Sequence, residues 1–306
     1  VSFINPYLVP GKGNIIQPRR EPFNGLGKML KGNQPSDGGH LCLTSEESKK
    51  LIKESSNANT FLKKYVGSAD FIRGTNRYCL WIDDSKVEDA RKINEINNRL
   101  NKVAEMRRNA KARTTRPASA WPHKFIQIQS VGVNSSIIVP RVSSERREYL
   151  PVGLLDSNSI VSDSAQAIYD APLWNLSIIA SKLHLTWIAT VCGKLKTDFR
   201  YSNTLGWNTF PIPNLTQNNK DDLTTSAENI LLTRESLFPK TISELYDPEI
   251  MPEDLKKVHA INDEIIERIY IGRKFINNTE RLEKLFELYN KLNKEETKNI
   301  KDNKNF

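Results

Sequence analysis

The chain has 306 residues, of which 38% are hydrophobic and 26% charged, with a net charge of +9. This is the composition of a folded chain with a real apolar core, in one large domain or two smaller ones, and it excludes a disordered polyelectrolyte. Three cysteines scattered as Cys42, Cys79 and Cys192 give neither a disulfide framework nor metal-ligand spacing. No run of roughly eighteen apolar residues is present to span a membrane, so a reducing cytoplasm and no membrane partner are expected.

The opening Val1-Ser2-Phe3-Ile4-Asn5-Pro6-Tyr7 has no basic end followed by an apolar stretch, as a signal peptide would. It also lacks an initiator Met, so the expectation is a portion of a longer protein. Residues 1–40, rich in Pro, Gly and Asn, read as connecting loops with one short strand. Thr44-Ser45-Glu46-Glu47 has the pattern of a capped helix start. That helix runs to about Ser55, and Phe61 to Tyr65 adds a turn. Gly67-Ser68 interrupts the pattern, and the apolar run Tyr78-Cys79-Leu80-Trp81-Ile82 fits a buried strand.

From Ser85 to about Lys111 one long helix is expected, because Val87, Ala90, Ile93, Ile96, Leu100, Val103 and Met106 form one apolar stripe. Pro117 and Pro122 stop it. Strands are expected over 125–129, 136–140, 149–155 and 159–161, then one apolar helix over 173–191. Gly193 ends that helix, and a strand over 194–201 follows. Beyond about Thr216 the pattern is purely helical: a helix over 221–235, one with Pro252 in its first turn, and a last one from Thr279. A frayed polar tail is expected after Lys294. The expected architecture is α/β (α+β), with a mixed curved sheet and a long helix over 1–215 and a small all-helical domain over 216–306.

Charge is unevenly distributed. Between Arg91 and Arg147 there are thirteen Lys or Arg against three Glu, so this stretch carries +10 and the rest is close to −1. Such concentration fits a polyanion partner, although a solvated helix face has the same signature. Arg107, Arg108, Lys111 and Arg113 at the helix end, and Arg146 and Arg147 in Ser143-Ser144-Glu145-Arg146-Arg147-Glu148, are the candidates for gripping phosphates. The second group equally fits a surface turn.

Lys194-Leu195-Lys196-Thr197-Asp198-Phe199-Arg200-Tyr201 alternates charged with mostly apolar residues. In a strand, Lys196, Asp198 and Arg200 would share a face at a spacing of roughly 6.6–7 Å, about two base-pair steps of DNA. Lys can donate to the acceptor edge of guanine and Asp can accept from the amine of cytosine, so a Lys–Asp pair across one base pair would select G·C in one orientation. On alternation alone, an ordinary amphipathic strand with a wet charged face is the simpler reading. His184, beside Trp187, reads as a packed, satisfied histidine rather than a ligand or base. Asn5-Pro6-Tyr7 reads as a turn. The sequence contains no Gly-rich strand-to-helix turn for S-adenosylmethionine, phosphate-binding loop, nuclease cluster or zinc set.

Ordered phrases along nearly the whole chain add a resemblance. They include Phe3 to Gly11, Asp37-Gly38-Gly39, Gly67-Ser68 with Phe71-Ile72, and Arg77-Tyr78-Cys79-Leu80-Trp81. Further on come Ser143 to Tyr149, Leu183-His184-Leu185-Thr186-Trp187, Asn208-Thr209-Phe210-Pro211 and Leu245-Tyr246-Asp247-Pro248. The chain resembles the C-terminal part of MmeI-like type IIL restriction-modification enzymes. The resemblance implies a target-recognition domain and a helical C-terminal domain, downstream of an adenine methyltransferase domain and an N-terminal nuclease. It implies double-stranded DNA as partner and no catalytic residue, cofactor or metal in this portion. S-adenosylmethionine, with Mg2+ where a nuclease is present, would serve the parent enzyme. It also implies that Lys196, Asp198 and Arg200 read bases, with Ser164 as a further reading position. Trp207 stands where the family more often has Tyr. A protein-interaction or specificity scaffold and an RNA-binding module are the alternatives.

Overall fold

The structure is a computed structural model that describes residues 4–7 and 15–302, with side chains through 296. Asn5-Pro6-Tyr7 is a turn, as expected, while most of the remaining 1–14 phrase lies outside the described residues. The chain forms two compact units. One comprises Leu30–Ile138 with Leu154–Asp170; the other comprises Val1–Met29, Val139–Gly153 and Ala171–Phe306. The first is called here the sheet unit and the second the helical unit.

In the sheet unit, Leu62–Val66 lies between two partners. It pairs antiparallel with Arg77–Leu80 and parallel with Ser159–Val161, and Cys42–Thr44 pairs antiparallel on the outer side of Arg77–Leu80. Tyr65, Cys79, Leu80 and Ile160 from these strands, with Leu51, Ile96, Leu100 and Val103 from helices, make one buried cluster. A second four-stranded sheet has the order Met29–Lys31, Ala165–Tyr169, Ser135–Pro140, Gly153–Asp156. Several small sheets thus replace the single curved sheet expected.

The Ser45–Glu54 helix starts as the sequence indicates. Thr44 Oγ1 accepts from Glu47 N–H (3.2 Å) and Glu47 accepts from Thr44 N–H (2.8 Å), a reciprocal capping box. The long helix expected over 85–111 is broken into a 3-10 turn Asp84–Lys86, a short helix Val87–Arg91 and the main helix Asn94–Arg108, with Ile93 extended between them. The apolar stripe survives the break because Val87, Ala90, Ile93, Ile96, Leu100 and Val103 all pack on the same cluster. Residues 125–129 form no strand. Gln127 pairs with Gln34 through two hydrogen bonds, but next to Gln34 stands Pro35, which has no N–H to extend the ladder.

In the helical unit the apolar stretch 173–191 is two helices, Trp174–Ile179 and Lys182–Val191. Ser181 makes the break, since its hydroxyl accepts from His184 N–H (3.1 Å) and donates to Ile178 O (2.7 Å). Helices Gln217–Ser236, Ile242–Leu245, Glu253–Ile271 and Asn278–Asp302 follow. Pro252 caps its helix rather than entering its first turn, and the last helix continues past Lys294. Buried Asn262 ties the unit together: it donates to Ser177 O (2.9 Å) and accepts from the hydroxyls of Ser177 and Ser226.

Candidate nucleic-acid interface

The charged comb is a hairpin, not one strand. Lys194–Leu195 pairs antiparallel with Asp198–Arg200, and Asp198–Arg200 pairs on its other side with Val142–Ser143. Lys196 and Thr197 are the two-residue turn, with Lys196 at φ 58°, in the left-handed region that a two-residue hairpin turn requires. Lys196 therefore leaves the strand alternation and stands at the hairpin tip. Asp198 and Arg200 remain on one face, as expected, and Phe199 goes to the opposite side and is buried.

The hairpin is anchored from behind. Lys194 pairs with Glu145 (3.1 Å) and lies 5.9 Å from the Phe199 ring centre. Tyr201, fully buried beyond the hairpin, shares a hydrogen bond with His184 Nε2 (2.8 Å). His184 also packs edge-on against Trp207 and Phe210, and its burial lowers its pKa to about 3, so it is a neutral packing residue. Its Nδ1 has no hydrogen-bond partner, so it is packed but only half satisfied. Lys196 and Arg200 are exposed and Asp198 is half-buried. Among the described residues none of these three side chains makes a hydrogen bond or ion pair.

Arg146 and Arg147 sit in the turn after Val142–Ser143. Exposed Arg146 pairs with Glu249 at 2.5 Å. Half-buried Arg147 reaches Ser143 Oγ at 3.4 Å. Burial disfavours the Arg147 charge, while the Asp198 and Asp247 carboxylates support it. Both arginines line a cavity of about 500 Å3 with Lys182, Arg281, Glu145 and Glu148. Lys182 and Arg281 carry no sequence signal for this place, being far from the turn in the chain and brought to it only by helix packing.

The sheet unit corrects one expectation outright. Arg107 is fully buried. Its guanidinium donates to the carbonyls of Pro35 (2.8 Å), Ser36 (3.1 Å), Ala118 (3.2 Å), Trp121 (3.0 Å) and Lys124 (2.7 Å). All five donors of the fork are used to close loops, so Arg107 has nothing left for a phosphate. Arg108, Lys111 and Arg113 are exposed, with no side-chain partner among the described residues, and Lys102 joins them. Other cations of the basic stretch are engaged: Lys92 with Asp89, Arg99 with Glu47 and Glu95, and Lys124 with Asp84.

Ser164 lies in the same unit, exposed, in the turn between Ser159–Val161 and Ala165–Tyr169. Its hydroxyl accepts from Ser68 N–H (3.2 Å), and its carbonyl accepts from the Ser68 hydroxyl (2.6 Å).

The family described as MmeI, target recognition domain, matches residues 10–214, and the one described as MmeI, C-terminal domain, matches residues 215–296. The chain belongs to the MmeI target recognition domain family. It is 39% identical over 292 residues to DNA methyltransferase A of Bacillus subtilis (strain 168), covering 95% of this chain and 33% of that protein. It is also similar to the solved structure of the type IIL restriction-modification enzyme MmeI in complex with DNA, with a TM-score of 0.88 and 31% identity over 96% of this chain and 39% of that one. The chain thus spans between a third and two fifths of the length of these relatives. The mixed α/β build with helical C-terminal elements is that of the MmeI domain.

Proposed function

We propose that this chain is the part of a restriction-modification DNA methyltransferase that recognises a short double-stranded DNA sequence, and that the parent enzyme methylates adenine. The observation that carries the reading is the hairpin tip. In a member of the MmeI target recognition domain family, with the fold of a DNA-bound relative, Lys196, Asp198 and Arg200 stand on an anchored hairpin and make no side-chain hydrogen bond or ion pair among the described residues, Asp198 acting on Arg147 only through its field. Charged side chains that hold no hydrogen bond or ion pair need not break one before meeting a base edge. Lys196 donates to guanine and Asp198 accepts from cytosine, so together they choose one orientation of a G·C pair. Ser164 is a further base contact. Arg108, Lys111, Arg113, Arg146 and Arg147 hold the phosphate backbone and set register and affinity.

S-adenosylmethionine belongs to the methyltransferase domain of the parent, as does the flipped adenine.

The test is a paired substitution, Lys196→Glu with Asp198→Arg, in the full-length enzyme, read by methylation of duplexes varied at each position. Preference at one G·C pair should invert, from about 1–3 kcal/mol for one orientation to about 1–3 kcal/mol for the other. A uniform loss of activity with no change of preferred base would overturn the assignment. Binding to structured RNA, or to no duplex at low salt, would favour the RNA-binding or scaffold alternative.

A further inference from the structure

Gly67-Ser68 is a phrase of the family resemblance to which the reading above gives no role. Its place in the sheet unit supplies one. Leu62–Val66 and Ser159–Val161 run parallel, with Val66 opposite Val161. The two strands therefore end side by side, pointing the same way. Ser162 N–H donates to Val66 O (2.9 Å) and continues the pairing one step further. Gly67-Ser68 emerges from one strand end, and Ser162-Asp163-Ser164 from the other.

The two turns clasp each other. Ser68 binds Ser164 at two points, from its N–H to the Ser164 hydroxyl (3.2 Å) and from its hydroxyl to the Ser164 carbonyl (2.6 Å). At Gly67 a Cβ would stand 2.3 Å from Ser164 Oγ, closer than real Cβ atoms come to any heavy atom. The Gly67 backbone is ordinary extended chain, at φ −103° and ψ −179°, so glycine serves here for space and not for its torsion angles, and a Cβ would have to displace the Ser164 hydroxyl.

The clasp is braced from the other side as well. Gly67 N–H donates to Asp70 Oδ2 (2.9 Å), and buried Asp70 also accepts from Thr75 Oγ1 (3.1 Å) and from Arg77 Nε (2.9 Å) and Nη2 (2.5 Å). Arg77 in turn lies 5.0 Å from the Tyr65 ring centre. The position of Gly67-Ser68 is thereby fixed by a bidentate ion pair, a strand end and a helix start.

We propose that Gly67 and Ser68 are positioning residues for Ser164, holding its hydroxyl in one direction toward a base edge. This rests on the reading of Ser164 as a base contact. A serine hydroxyl has one O–H and two lone pairs. Ser68 N–H fills one lone pair and the Ser162 hydroxyl shares a second hydrogen bond (3.3 Å), so the single position left on the Ser164 hydroxyl is what a base edge meets. Gly67 leaves the hydroxyl room, and Ser68 sets its angle. A base contact held by a second residue discriminates better than a free rotor, because a rotated hydroxyl can satisfy the wrong base.

The experiment uses the full-length enzyme, duplexes substituted one base pair at a time, the salt dependence of binding, and thermal melting. Ser164→Ala identifies the base pair that Ser164 reads. Gly67→Ala should then relax discrimination at that same base pair by about tenfold, with the salt slope unchanged. Ser68→Ala, which keeps the N–H and removes only the hydroxyl, should relax it by about threefold, and should add little in the Ser164→Ala background. If Gly67→Ala does not fold, Ser68→Ala and its double variant decide. The proposal is overturned if Ser164→Ala changes one base pair and both neighbouring variants leave that base pair untouched. It is also overturned if the variants weaken all duplexes alike in step with a lower melting temperature. A Ser164→Ala enzyme with unaltered preference at every position removes the Ser164 reader and this proposal together, while the Lys196–Asp198 inversion remains a separate test of the DNA-reading function.

Discussion

The end of the Asn94–Arg108 helix and the hairpin at 194–200 look alike as sequence and differ as structure. The helix end is dense in positive charge, and its first arginine, Arg107, is buried on five carbonyls. The hairpin has fewer charges, yet Lys196, Asp198 and Arg200 make no side-chain hydrogen bond or ion pair among the described residues. What distinguishes them is competition for the charged group. Where loops leave carbonyls without strand or helix partners, a guanidinium with five fixed donors is the side chain that can satisfy them together. A hairpin satisfies its own backbone through its ladder, so its side chains stay available.

The largest effect should therefore come from the residue with no proposed part in DNA binding. Arg107→Ala leaves five carbonyls short of a donor in a buried place, and a loss of about 3–5 kcal/mol of stability is expected in urea or thermal unfolding. Arg107→Lys should recover little, because an ammonium has three donors on one point and cannot reach carbonyls spread around a planar fork. A stable Arg107→Ala protein with a reduced salt slope for DNA would break the comparison.

The two units also differ in how they should answer to pH. The brace of the sheet unit, Arg107, stays charged across the working range. The helical unit holds Asp263, buried, accepting from Tyr149 Oη (3.0 Å) and Lys182 N–H (2.8 Å), with its pKa raised to about 6, chiefly by burial. A carboxyl whose folded pKa exceeds its unfolded value binds more protons when folded. Its contribution to stability is therefore greatest at low pH and declines as pH rises from about 4 to about 6. Asp263→Asn has no such cost, so its stability relative to the parent should improve by up to about 3 kcal/mol across that window. A flat difference from pH 4 to 7 in unfolding experiments would mean that Asp263 titrates normally.

How much of this was legible in the sequence follows the same division. The Thr44–Glu47 cap is local, and it is where the sequence puts it. The apolar stripe from Val87 to Val103 was legible as a face, but the break at Ile93 was not, since no proline or glycine marks it. The hairpin at 194–200 read as one strand because alternation continues across a two-residue turn that contains neither Gly nor Asn. Arg107 and Arg108 are adjacent and chemically identical. Only the placement of residues 35–36 and 118–124 separates a brace from a surface cation, and that is tertiary information. The clasp of Gly67-Ser68 on Ser164 joins residues almost a hundred positions apart, so the sequence showed the phrase and not its purpose.

Among the exposed cations smaller effects are expected. Arg108→Ala, Lys111→Ala and Arg113→Ala should each weaken all duplexes alike and reduce the salt slope by about 1, with little change in stability. A base-specific effect from any of them would bring the helix end closer to the hairpin in kind.

The smallest effect concerns Arg146, which lies between the two cases. It is exposed like Arg108, but it already pairs with Glu249 at 2.5 Å, both side chains being largely in solvent. An exposed pair of this kind contributes about 0–1 kcal/mol, so it neither braces the fold as Arg107 does nor prevents exchange of partner. A phosphate must compete with the carboxylate for the same guanidinium. Glu249→Gln should release Arg146 and remove a negative charge at once, raising affinity for every duplex by about two- to fivefold while leaving base preference and melting temperature nearly unchanged. Arg146→Ala in the Glu249→Gln background should remove most of that gain, leaving only the part due to the lost negative charge. If Glu249→Gln binds DNA no better than the parent, Arg146 meets no phosphate, and the exposed ion pair belongs to the surface of the fold alone.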